Sequence, residues 1–136
     1  MQSIIFCKGL PGSGKSTWAK QYCIDNPTFI RINKDDIREL IGSPKFSRAV
    51  EDLVVDIQRR IGLAILHTGK SLIVDDVNFS KTHEQYWRHI SNIRHISFDV
   101  KFFDTPVEQC IQRDSSRLKS VGKDVILSMY EKYIKT

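Results

Sequence analysis

Short apolar runs alternate with longer amphipathic ones along this chain. Residues 2–8 (Gln-Ser-Ile-Ile-Phe-Cys-Lys), 28–32, 71–75 and 95–103 are rich in β-branched and aromatic residues and read as four strands. Leu72, Ile73 and Val74 are apolar without interruption, as suits a strand covered on both faces of a parallel sheet. Between the strands lie helical patterns. Residues 15–25 place Trp18, Ala19 and Tyr22 on one side and stop at Asn26-Pro27. A helix begins near Asp35 and Asp36, both good N-cap residues, and Gly42-Ser43-Pro44 breaks it. Residues 47–67 put Val50, Leu53, Val54, Ile57, Ile61, Ala64 and Ile65 on one face, with Gly69 as a stop. Residues 81–92 follow, with Ser80 as cap. Thr105-Pro106-Val107-Glu108 reads as a capping box, with Thr105 as the cap and Pro106 at the first helical position. The helix it opens carries Arg113 and Arg117 four apart on one face, Ser120-Val121-Gly122 interrupts, and a last helix starts at Lys123 or Asp124 and runs to Lys132.

Strand and helix alternate without a linker, repeat or low-complexity tract. The expectation is an α/β layer fold with a mainly parallel sheet of about four strands, helices on both faces, and one domain spanning residues 1–136.

Residues 9–17, Gly-Leu-Pro-Gly-Ser-Gly-Lys-Ser-Thr, fit G-x-x-x-x-G-K-[ST] between a strand and a helix, which is the context a phosphate-binding P-loop needs. Gly12, Ser13 and Gly14 let successive N–H groups turn toward an anion, and the following helix adds its positive end. Lys15 would reach the β- and γ-phosphates, and the Ser16 hydroxyl would sit on Mg²⁺. The alternative is an ordinary Gly/Pro turn.

Two acidic pairs also fall at strand ends, where open parallel sheets bind ligands. Asp35 and Asp36 follow the second strand, and Asp75 and Asp76 the third. Phosphoryl transfer needs positioning, metal, positive charge on the migrating group and a base for the acceptor's proton. Asp35 is placed by chain order to be that base, helix capping being its bland alternative. Arg38, three residues on, shares its helix face and could fork onto a phosphate of the acceptor, or lie solvated beside Asp35. Asp76 or Asp75 could serve Mg²⁺ through water, and Asn78 could orient the loop by its amide or be a plain turn residue. Arg113 and Arg117 could close as a lid over the triphosphate, or form a solvated basic surface. Arg59-Arg60, Tyr86 and Trp87 read as surface and packing residues.

Composition narrows the classes. A net charge of +5 and a pI near 9.2 suit a polyanionic partner without requiring one. Three cysteines, Cys7, Cys23 and Cys110, make no disulfide framework and have no zinc spacing. Apolar runs are too short to span a membrane, and Met1 leads directly into the first strand, so no membrane segment or leader is expected.

Together these motifs resemble the phage-type 5′-hydroxyl polynucleotide kinases. The resemblance runs through the P-loop to Trp18-Ala19, Asn26-Pro27, Ile32-Asn33-Lys34-Asp35-Asp36-Ile37-Arg38, Asp76-Val77-Asn78, Arg113-x-x-x-Arg117 and Asp124-Val125-x-x-Ser128-Met129-Tyr130. From about Ile41 to Lys70 it holds only as a helix of similar kind. It implies a P-loop kinase fold with an arginine-bearing lid. It implies transfer of the γ-phosphoryl of ATP or another NTP, with Mg²⁺, to the 5′-OH of DNA or RNA. Lys15 and Ser16 would hold phosphates and metal, and Thr17 would touch the α-phosphate. Asp35 would act as base and near the metal, and Arg38 would bind the acceptor's 3′-side phosphate. Asp76, with Asn78 beside it, would serve the acceptor side or the metal, and Arg117 with Arg113 would clamp the donor. Val77 replaces a hydroxyl residue common in that family, and the lid after Arg117 lacks a matching glycine. The phosphatase signature Asp-x-Asp is absent, so the resemblance covers the kinase half of end healing. It implies a cytoplasmic location, in a phage-infected host cell. A kinase for a sugar, nucleoside or antibiotic, and a non-catalytic nucleotide-binding module, are the competing readings.

Overall fold

The computed structural model describes residues 1–43 and 47–135, so the proposed break at Pro44 lies outside the described residues. The order is β1 (Ser3–Lys8), α1 (Lys15–Asp25), β2 (Phe29–Ile32), α2 (Lys34–Leu40), α3 (Arg48–His67), β3 (Ser71–Asp75), α4 (Lys81–Arg94), β4 (Ser97–Phe102), α5 (Val107–Ser115) and α6 (Lys123–Tyr133). The four strands are parallel in the order β2-β3-β1-β4. The sheet reverses its winding between β1 and β3, the switch point at which such sheets open a crevice.

Side-chain alternation divides the core. Cys7 and Ile73 face α1, meeting Ala19 with Trp18, Tyr22 and Phe29 around them. Ile4, Phe6, Leu72 and Val74 face the opposite way, onto Leu66 of α3 and Trp87 and Ile90 of α4. Gly62 is where α3 meets α4: a Cβ there would stand 2.4 Å from the Trp87 ring. Leu10, Cys110 and Ile126 form a third cluster that seats α5 and α6 beside the loop after β1.

Several local expectations change. On α3 the buried line is Val54, Gln58, Gly62 and Leu66, whereas Leu53 and Ala64 are exposed. The buried stripe follows i, i+4 spacing, and two of its members are not apolar. Asn33, not an aspartate, caps α2, its side chain accepting from the Asp36 N–H at 3.0 Å. The capping box before α5 is absent. Pro106 is the N-cap, and the Thr105 hydroxyl instead donates to the Ser13 carbonyl at 2.9 Å. Ser80 stands at the N-cap of α4 without a side-chain hydrogen bond. β4 begins at Ser97, because His95 takes a left-handed conformation that closes α4. Trp87 is packing, as expected, and Arg59 lies over the Tyr86 ring.

Candidate active site

The loop of residues 9–17 leaves β1 and curls into α1. Gly9 N–H donates to the Val77 carbonyl at 3.1 Å, fixing the loop to the end of β3. Gly12 has φ +80°, and a Cβ on it would lie 2.4 Å from the Cys110 carbonyl oxygen, so the loop packs directly on α5. Lys15 is buried and points its ammonium into the curl, donating to the carbonyls of Gly9 (3.0 Å) and Leu10 (2.8 Å) and to Ser13 Oγ (3.3 Å). Burial lowers its pKa, while Asp75 and Asp76 oppose that shift. An ammonium held by carbonyls can exchange them for phosphate oxygens without leaving the loop. Ser16 is half-buried and Thr17 exposed in the first turn of α1.

At the end of β3 the two aspartates point apart. Asp75 shares a sheet face with Arg31, whose Nε donates to Oδ2 at 2.6 Å and whose Nη1 donates to Asp36 at 2.7 Å. Asp75 Oδ1 is buried and has no hydrogen-bond partner among the described residues. Asp76 accepts from the Lys34 N–H at 2.9 Å on one oxygen and from Gln58 Nε2 at 2.7 Å on the other. Burial pushes its pKa up to about 6, against the pull of Lys34 and of these hydrogen bonds. Asp76 thereby ties the start of α2 to α3. Asn78, buried at φ 56°, donates to the carbonyls of Cys7 (2.7 Å) and Val74 (3.2 Å). Its amide holds the strand ends together, the loop-orienting alternative, and is already engaged by backbone.

Asp35 and Arg38 meet on α2, as their spacing requires, with Nη1 donating to Asp35 Oδ1 at 2.6 Å. The Asp35 side chain is 72% exposed and that of Arg38 only 9%. The guanidinium is gripped by Glu51 of α3, which also lies 3.7 Å from the Lys34 ammonium.

The two lid arginines do not share a helical face, because α5 ends at Ser115 and Arg117 lies in the turn beyond it. Arg113 brings a guanidinium nitrogen to 3.6 Å from where a Gly14 Cβ would stand. Arg117 donates to Asp114 Oδ1. Asp114 is buried and also accepts from Ser120 Oγ (2.7 Å) and from the N–H groups of Val121 (3.2 Å) and Gly122 (3.0 Å). Burial acts to raise its pKa, but those four donors outweigh it and hold the carboxyl at about 2.

Arg31, Glu51, Gln58 and Asp114 escaped the sequence reading. Gln58 had a signal: it is a polar residue four positions beyond Val54, on the buried stripe of α3. Glu51 is off that stripe, and its sequence place shows only an acidic residue in the first turn of α3. Asp114 offered only its place between Arg113 and Arg117.

A family model described as an AAA domain matches residues 4–135. The chain belongs to that family. Its relatives and fold neighbours include kinases. It is 27% identical to the L-seryl-tRNA(Sec) kinase of Methanococcus maripaludis over 96% of this chain and 52% of that protein. It is 22% identical to a protein of Autographa californica nuclear polyhedrosis virus, provisionally named a bifunctional polynucleotide kinase/RNA ligase, over 93% of this chain and 20% of that one. Among solved structures, a chain of the Pnkp1/Rnl/Hen1 RNA repair complex superposes with a TM-score of 0.80 and 26% identity, covering 93% of this chain and 42% of that one. This chain thus spans about half or less of the length of each. The fold is that of a P-loop kinase, membership of which implies nucleotide binding. No helix among the described residues is long and apolar enough to cross a membrane.

Proposed function

We propose that this domain transfers the γ-phosphoryl group of ATP or another NTP to the 5′-hydroxyl of a DNA or RNA end. The observation that carries the reading is the Asp35–Arg38 pair: an exposed carboxylate beside a cation anchored from behind by Glu51. In this reading Asp35 accepts the proton of the 5′-OH as that oxygen attacks the γ-phosphorus and the bond to the β–γ bridging oxygen breaks. Arg38 receives the phosphate on the 3′ side of the terminal nucleotide. Lys15 and the N–H groups of Gly12, Ser13 and Gly14 follow the charge on the donor phosphates, Thr17 meets the α-phosphate, and Arg113 and Arg117 approach from the far side.

The donor set suits Mg²⁺. The Ser16 hydroxyl, the exposed Asp35 and a strand-end carboxylate are hard oxygens, and this ion keeps several waters and takes few protein ligands. Asp75 has one buried oxygen open, whereas both oxygens of Asp76 are occupied by donors, which favours Asp75 over Asp76 as the strand-end ligand. When bound, the ion would neutralise charge on the transferring phosphoryl. Asp76 is left as the latch between α2 and α3, and Asn78 as a support of the loop rather than a substrate contact.

A second reading follows from the likeness to seryl-tRNA kinase: an acceptor hydroxyl carried on tRNA rather than at a strand end. Transfer from labelled triphosphates is to be measured with 5′-OH DNA and RNA oligonucleotides, seryl-tRNA, a nucleoside and its 3′-phosphate. Oligonucleotides and the 3′-phosphorylated nucleoside should be the good acceptors. Equal use of nucleoside and 3′-phosphate would sink the role given to Arg38. Transfer to seryl-tRNA alone would select the second reading, and transfer to none of the five would favour a small-molecule acceptor or a non-catalytic module.

A further inference from the structure

We infer that β4 pairs antiparallel with β4 of a second copy of this chain, about a two-fold axis through Val100, joining two four-stranded sheets into one. β4 is an outer strand of the sheet. Its phase is set by the Phe103 N–H, which donates to the Lys8 carbonyl at 2.8 Å, and by the parallel register of Asp99 with Ile5 and Lys101 with Cys7. Main-chain groups alternate along a strand, so residues 97, 99 and 101 bond toward β1. Phe98, Val100 and Phe102 therefore turn their N–H and C=O groups outward. Val100 and Phe102 also expose their side chains.

A two-fold axis at Val100 sets Val100 against Val100, Phe98 against Phe102, and Asp99 against Lys101 of the second copy. Every outward main-chain group then finds a partner, in up to about six hydrogen bonds. Asp99 is exposed and has no ion pair among the described residues. Lys101 lies on the same sheet face, its ammonium over the Trp18 ring at 4.9 Å. Like charges directly opposite destabilise a pair of strands, and opposite charges stabilise it. Moving the axis one residue either way would set Asp99 on Asp99 or Lys101 on Lys101. A lysine on an open edge ordinarily discourages pairing. Here Asp99 answers it, so the charges select one register. The contact is isologous and closes on itself, giving a dimer rather than a fibre. Because the strands run antiparallel, the two carboxyl ends with their P-loops point in opposite directions. The pairing is thus independent of the acceptor.

Sedimentation equilibrium from micromolar to millimolar protein tests this. The wild type should form a reversible dimer. Asp99→Lys and Lys101→Asp should each weaken it by about tenfold or more, and the two exchanges together should restore it. Val100→Pro removes an N–H that faces away from β1 and should abolish the dimer while the far-ultraviolet circular dichroism is kept. A wild type that stays monomeric at millimolar concentration overturns the proposal and leaves the edge to a further segment or another protein. So does a dimer indifferent to all these substitutions.

Discussion

Glu51 holds Arg38 by both carboxylate oxygens: Nη2 donates at 2.9 and 3.0 Å and Nε at 3.3 Å, while Nη1 reaches Asp35 at 2.6 Å. The contact joins α3 to α2 and fixes the guanidinium beside an exposed carboxylate. Glu51→Ala strips the bidentate partner from a nearly buried cation. It should cost about 2–3 kcal/mol of stability, read from urea melts. If Arg38 meets the acceptor, KM for the acceptor should rise about tenfold with donor Kd unchanged. Glu51→Gln keeps one acceptor oxygen and should fall between.

Asp76 makes stability fall with rising pH. Its folded pKa of about 6 lies above the ordinary 3.8, so the folded state binds the extra proton between those values. Its contribution is complete below pH 4 and is lost as pH rises through 6. In Asp76→Asn the oxygen can still accept from the Lys34 N–H, and Gln58 can turn its amide to accept. The variant should therefore gain on the wild type by about 2–3 kcal/mol between pH 4 and pH 7, measured by urea unfolding at each pH.

Asp114 works in the opposite sense. With a folded pKa of about 2, it stabilises the turn after α5 above pH 4, and that contribution is lost as pH falls through 2. Asp114→Asn should cost about 2 kcal/mol at neutral pH and show a shallower acid limb than the wild type. Because Asp114 also anchors Arg117, donor KM should rise in the same variant.

Gly12→Ala would require a left-handed alanine whose Cβ meets the Cys110 carbonyl. The strained backbone alone costs about 1–3 kcal/mol, and the contact with α5 adds to it. Thermal unfolding should shift down, and donor affinity should fall, since the loop cannot hold its curl and its seat on α5 together. Unchanged donor binding would show that the loop has slack the packing does not suggest.

The strand and helix order, and the P-loop between β1 and α1, follow from the sequence, because period, apolar runs and glycine spacing are local properties. The meeting of Asp35 with Arg38 is equally local, as both lie on α2 one turn apart. Tertiary structure decided what those residues touch. Glu51 and Gln58 stand 13 and 18 residues from Arg38 and Asp76, and only the packing of α3 against α2 and β3 brings them into contact. It also split Asp75 from Asp76: Asp75 is the last residue of β3 and meets Arg31 on one face of the sheet, whereas Asp76, where the chain bends away from the strand, meets Gln58 of α3. Helix ends moved for the same reason. Thr105 was free to cap α5 as far as its neighbours were concerned, but the helix starts one residue later, with Pro106 at the N-cap, and the Thr105 hydroxyl points to the Ser13 carbonyl, 92 residues earlier. Local chemistry sets which groups are able to bond, and the fold determines which partner reaches each of them first.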